Sequence, residues 1–160
     1  MSLSAYHFPV RSLKIFSVLL LAALSTQLAG AESAKVYKAL PLFLDLQGRQ
    51  SNFPSLFERD AYQAMLRKNP DKRSGLRFAI DWKATGVKEI KLRVEMRGVH
   101  GKDPTKAMVE KTVKAGGAFG KWSEVDLIGE EYKKFGDLLA WRVTVLDGAT
   151  QLAEQKSFLW

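Results

Sequence analysis

The sequence predicts an all-β protein: an antiparallel sandwich of about seven short strands, with one short helix inserted between the first two. Three observations carry this. Between Gly75 and Gly98, apolar residues fall at every second position in two successive runs, with only a short gap between them. Further stretches of strand character follow to the end of the chain, separated by glycine-bearing turns. Only one segment, "PSLFERDAYQAMLRKNP", keeps a sustained helical period instead. There is no internal repeat and no low-complexity segment.

The first residues are not domain sequence. "MSLSAYHFPVRSLK" carries Arg11 and Lys14 and no acid, "IFSVLLLAAL" is a short apolar run, and "STQLAGA" ends in Ala29-Gly30-Ala31. A basic start, an apolar middle and a small-x-small end make a secretory signal peptide, with cleavage after Ala31. Ser25, Thr26 and Gln27 interrupt the apolar run before the ~20 residues a spanning helix needs. The expected organisation is a cleaved signal over 1–31 and one sandwich domain over 32–160. The expected location is extracytoplasmic, periplasmic or secreted, with no membrane span after cleavage.

The strands follow in order. "KALPLFLDLQ" places Leu40, Leu42, Leu44 and Leu46 on one parity and reads as a first strand. Pro41 marks this as an edge strand or a strand start. The helix is predicted over Leu56–Lys68. Ser55 and Glu58 have capping-box spacing, and Phe57, Ala61, Ala64 and Met65 form its apolar face. Asn69-Pro70 stops it, because a residue before proline avoids the helical region.

Leu76, Phe78, Ile80 and Trp82 alternate with Arg77, Ala79, Asp81 and Lys83. Ile90, Leu92, Val94 and Met96 alternate with Lys91, Arg93, Glu95 and Arg97. Period two sends neighbouring side chains to opposite faces of a sheet. One dry face and one wet face is the antiparallel pattern. Most of this ribbon is therefore explained by folding alone.

"TKAMVEKTVK" is a weaker strand with Ala107, Val109 and Val113 on one parity. "AGGAFG" is a turn, "KWSEVDLIG" a strand with Val125 and Leu127 inward, and "EEYKKFG" a short helical turn ended by Gly136. "LLAWRVTVL" sets Trp141, Val143 and Val145 on one side. Asp147-Gly148 signals a hairpin, and "QLAEQKSFLW" is the last strand, with Leu152, Phe158 and Trp160 on one parity.

"LRFAIDWKA" resembles the second strand of fibronectin type III and related immunoglobulin-like domains, with Trp82 at the place of the family's inward tryptophan. "WRVTVLDG" is similar to the family's sixth strand, where Trp141 stands in the place of the usual tyrosine. The early helix is an insertion relative to a plain fibronectin-type domain. The resemblance implies an immunoglobulin-like sandwich, and modules of this kind commonly serve adhesion, spacing or recognition. Fold does not fix function.

The composition narrows the chemistry. The chain has no cysteine, which excludes disulfides, thiol redox chemistry, thiolate metal sites and a lipid-attachment cysteine. The net charge of +8 is partly carried by Arg11 and Lys14 and leaves a moderate excess, as expected of a soluble mixed-charge surface. His100 is the one histidine beyond the leader, and a single imidazole makes neither a triad nor a zinc site. There is no nucleophile elbow, phosphate loop or dinucleotide fingerprint. Glu130 and Glu131 are adjacent, so their side chains diverge; they suit a helix start instead.

The expectation is no catalytic residue, no cofactor and no metal ligand, with a small hydrolase built on distant carboxylates as the low-ranked exception. The candidate binding surfaces are the basic helix end, Arg67, Lys68, Lys72 and Arg73, and an aromatic corner, Phe119 and Trp122. The leading expectation is a non-enzymatic module for protein recognition or an accessory role. The alternative is a cell-envelope module that binds carbohydrate or a polyanion through these residues. No specific nucleic-acid binding is expected.

Overall fold

The computed structural model describes residues 33–51, 54–116 and 119–160. The expected signal peptide lies outside the described residues, as does the middle of the "AGGAFG" turn. Among the described residues no helix is long and apolar enough to cross a membrane.

The described residues form seven strands in two antiparallel sheets. The strands are β1 (Ser33–Asp45), β2 (Arg73–Thr85), β3 (Glu89–His100), β4 (Asp103–Lys114), β5 (Lys121–Ile128), β6 (Asp137–Asp147) and β7 (Thr150–Lys156). One sheet has the order β1-β2-β5 and the other β4-β3-β6-β7. Helix α1 (Leu56–Lys68) lies between β1 and β2, and helix α2 (Gly129–Phe135) between β5 and β6. The fold is thus an all-β sandwich with the helix inserted where the sequence places it. The β3–β4 and β6–β7 connections are tight hairpins, the second turning at Gly148.

The core lies between the sheets. Leu76, Phe78, Ile80 and Trp82 of β2 face Ile90, Leu92, Val94 and Met96 of β3, and all are buried. Phe78 meets Trp141 edge to face, with ring centroids 5.8 Å apart. Trp82 is wholly buried, and its indole N–H donates to Ser123 Oγ at 3.0 Å. Burial of such side chains contributes about 1.5–3 kcal/mol each. A slip of one residue in β2 or β3 would turn all of them outward, so the register is tightly specified. Gly136 ends α2 with φ +78°, and a Cβ there would run into the Val99 carbonyl. Glycine alone allows this approach.

Pairing assigns one face that the sequence left open, and two expectations are corrected. In β1 the core face is not the leucine face. Residues paired directly across a ladder share a face. Ala39 pairs with Ile80 and Phe43 with Leu76, so these point inward; Leu40 and Leu42, opposite Ala79 and Arg77, lie on the outer face. Leu44 is buried on that outer side against Gly75, and Leu46 is 69% exposed. A register shift between Val36 and Lys38 keeps Val36 inward despite the odd spacing. Both faces of β1 are apolar, so periodicity alone could not choose between them.

In α1 the bounds are as expected, but the buried side chains are Gln63 and Leu66. Phe57 is 82% exposed, and Ala61 and Ala64 are exposed as well. The helix docks on the edge of β1, where a hydrogen-bonding side chain serves better than an apolar one. The capping box does not form, for the Ser55 side chain makes no cap hydrogen bond. Finally, β7 stops at Lys156, and Phe158 is fully exposed. Trp160 instead folds onto the outer face of the larger sheet, with the Arg97 guanidinium 4.2 Å and the Arg142 guanidinium 5.0 Å from its ring centroid.

The sandwich edges are guarded. At the β4–β5 seam, Lys111 Nζ donates to the Glu124 carbonyl at 2.7 Å and Lys121 Nζ to the Lys114 carbonyl at 3.1 Å. Lysines at strand edges oppose pairing with another chain.

Candidate functional site

The two surfaces expected from the sequence lie at opposite ends of the three-stranded sheet. The helix end is attached at Arg73 and the aromatic corner at Asp81, roughly 26 Å along β2 at about 3.3 Å per residue. They do not form one site.

At the basic end, Arg67, Lys68 and Lys72 are exposed, but Arg73 is buried. Arg73 Nε donates to the Leu66 carbonyl at 2.6 Å, and Nη1 to Asp137 Oδ1 at 2.7 Å. Its Nη2 donates to the Arg67 carbonyl, and the guanidinium stacks 4.1 Å from the Phe43 ring centroid. These carbonyls close the last turn of α1, where a cation also meets the negative end of the helix dipole. Arg73 is therefore a structural cap rather than a ligand-binding residue. The rest of the patch loses the residue that would have anchored it.

A buried carboxylate lies near the other end of the α1 insertion. Asp45 Oδ1 accepts the backbone N–H groups of Gln47 and Arg49, at 2.8 and 2.9 Å, and Oδ2 accepts Tyr62 Oη and Arg49 Nε. Burial pushes this carboxyl up, but the Arg49, Tyr62 and Gln47 hydrogen bonds together outweigh burial and hold it down to about 2. Its acceptor sites are taken up by the turn that leads to α1 and by Tyr62 of α1 itself. His100, at the end of β3, is exposed and lies opposite Asp103 across the β3–β4 hairpin. Glu130 is ion-paired to Lys133 on the surface of α2 at 2.7 Å.

The aromatic end is different. Trp122 pairs with Asp81, which pairs with Lys38, so the three form one row across the outer face of the sheet. Trp122 is 53% exposed and Phe119, in the turn before it, 87%. A third ring joins them. Tyr37 sits at the β1 register shift without a Cα partner and is 48% exposed. Its ring reaches over β2 towards the β4–β5 turn: a Cβ on Gly120 would stand 3.6 Å from Tyr37 Cε2 and 3.1 Å from Asp81 Oδ1. Lys35 Nζ lies 5.2 Å from the centroid of the same ring. One row further along, Lys35 pairs directly with Lys83. Behind them the Ser33 and Thr85 hydroxyls are 2.8 Å apart. Ser33, Lys35, Tyr37, Lys83 and Thr85 line a shallow depression of about 230 Å³.

The sequence reading found Phe119 and Trp122 and missed Tyr37, Lys35 and Lys83. Tyr37 precedes the alternation of β1, and nothing local marks a bulge there. Lys83 reads as one more wet-face residue of β2. Only pairing between β1, β2 and β5 brings these side chains together. No family model, no curated protein and no solved structure matches the chain.

Proposed function

We propose that this chain is an exported, non-enzymatic immunoglobulin-like sandwich that works by recognition, with the Tyr37–Phe119–Trp122 corner as its contact surface. The observation that carries the reading is the gathering of three exposed rings from two strands and a turn at one end of one sheet. Monomeric proteins seldom leave apolar rings clustered on the surface unless they meet a partner. Export is supported by the leader in the sequence. The immunoglobulin-like assignment is supported by the strand order: the first, second and fifth strands share one sheet and the third, sixth and seventh the other. Immunoglobulin-like sandwiches divide their strands in this way, and the fourth strand lies beside the third as in their larger sheets.

Exposed rings serve a protein partner and a sugar chain alike. The purified protein, immobilised and exposed to its native extracytoplasmic fraction at low and high salt, tests the reading. A retained ligand that is lost in Trp122→Ala and Phe119→Ala, and kept in Lys68→Ala with Lys72→Ala, supports the corner. Retention unaffected by the two aromatic substitutions overturns it. Loss of retention with rising salt favours a charged polymer over an apolar protein contact.

A further inference from the structure

We infer that the ligand of the aromatic corner is an acidic saccharide, whose anionic group sits between Lys35 and Lys83 while a sugar ring stacks on Trp122. This rests on the reading of the corner as a recognition surface and adds the chemistry of what is recognised.

The first observation is the lysine pair. Lys35 and Lys83 stand directly opposite on adjacent antiparallel strands and on one face. Like charges in that arrangement repel and weaken the sheet. Several cations of the two sheets are matched: Arg77 binds Asp126 and Glu124, Lys91 and Arg93 share Glu110, and Arg142 binds Glu95. Where Arg97 and Lys106 also stand opposite each other, the Arg97 guanidinium stacks on the Trp160 ring. Among the described residues no carboxylate lies within ion-pair distance of Lys35, Lys38 or Lys83. Asp81 is the single acid of that part of the face, against three lysines. The Tyr37 ring beneath Lys35 offsets part of this repulsion, whereas an incoming anion would neutralise it.

The second observation is what surrounds the pair. The Ser33 and Thr85 hydroxyls flank it on the outer side and supply neutral hydrogen-bonding groups. The Tyr37 ring forms the inner wall, beneath Lys35 Nζ. Trp122 lies diagonally across the sheet from Lys83, one strand over and two residues along, which is roughly 8 Å at ordinary sheet spacings. That separation lies within the span of a disaccharide. Ammonium groups, hydroxyls and flat rings on one open surface match a ligand that is anionic, rich in hydroxyls and faced with C–H groups. A phosphate or a free carboxylate would use the lysines and leave the rings idle. A neutral sugar would use the rings and leave the lysines repelling each other.

Calorimetric titration of the purified protein tests this with four probes: a heparin-derived tetrasaccharide, tetragalacturonate, maltotetraose and polyphosphate. The first two separate sulfate from carboxylate as the anionic group. At least one of them should bind with a tryptophan fluorescence quench that is absent in Trp122→Phe, while maltotetraose does not bind and polyphosphate binds without the quench. Lys35→Ala and Lys83→Ala should each weaken the acidic saccharide about tenfold, as loss of a charge-assisted hydrogen bond does. Trp122→Ala should weaken it similarly, and Lys68→Ala should not.

Failure of both acidic saccharides to bind overturns the inference, as does equal binding of maltotetraose. If the lysine substitutions are silent while Trp122→Ala abolishes capture of another ligand, the acidic saccharide falls and the recognition surface stands. If Trp122→Ala is silent toward every ligand, the surface itself falls. Thermal melts of each variant confirm folding, and all these positions are on the sheet surface.

Discussion

The carboxamide of Gln63 pairs with both backbone groups of Phe43. Its Oε1 accepts the Phe43 N–H at 2.8 Å, and its Nε2 donates to the Phe43 carbonyl at 2.9 Å and to the Gln50 carbonyl at 2.7 Å. A side-chain amide has the same donor and acceptor as a peptide unit, so one residue of α1 replaces a neighbouring strand at the free edge of β1. Gln63→Leu keeps the volume and removes these bonds. It should destabilise the fold by about 1–3 kcal/mol, read as a lower urea midpoint. Hydrogen exchange should accelerate at the Phe43 amide more than in β3.

Arg73 holds the other end of the same helix. Arg73→Met leaves the Leu66 and Arg67 carbonyls without their donor. A loss of about 2–3 kcal/mol is expected. Asp137 is solvent-exposed and rehydrates, so no buried charge is stranded. Arg73→Lys should recover little, because an ammonium cannot reproduce the planar fork. Lys68→Ala, on the exposed surface, should leave the urea midpoint unchanged. Equal effects from Arg73 and Lys68 would contradict the capping role.

Asp45 makes stability pH-dependent on the acid side. Its carboxyl sits at about 2 in the fold against an ordinary 3.8. The folded protein therefore favours the anion, and its contribution is full above the ordinary value. That contribution falls away as pH drops from about 4 towards 2, with a total of about 2 kcal/mol. Asp45→Asn should lower stability at neutral pH and flatten the profile below pH 4. Urea unfolding of both proteins between pH 2 and 7 measures this, and parallel profiles would exclude Asp45 as the source.

Lys111 and Lys121 close the β4–β5 seam through backbone carbonyls. Replacing both with methionine should change monomer stability little. It should promote concentration-dependent self-association, since the edge then lacks charge. Sedimentation of the double variant across a concentration series is the check.

The reach of the sequence followed the range of the interactions. β2, β3 and β6 were legible because a dry face and a wet face leave a period-two pattern in consecutive residues, as from Leu76 to Trp82. The bounds of α1 were legible because Asn69-Pro70 stops a helix locally. What the tertiary structure decided depended on partners distant in the chain. The face of β1 was ambiguous, since Leu40 and Phe43 are equally apolar, and pairing with β2 settled it through a bulge at Tyr37. The buried face of α1 followed from docking on a strand edge, which favours Gln63 over Phe57. Arg73 looked like one more cation of a basic run until the helix end closed over it. The corner of Tyr37, Lys35, Lys83 and Trp122 is assembled from β1, β2 and β5, so only the register of three strands could bring it together.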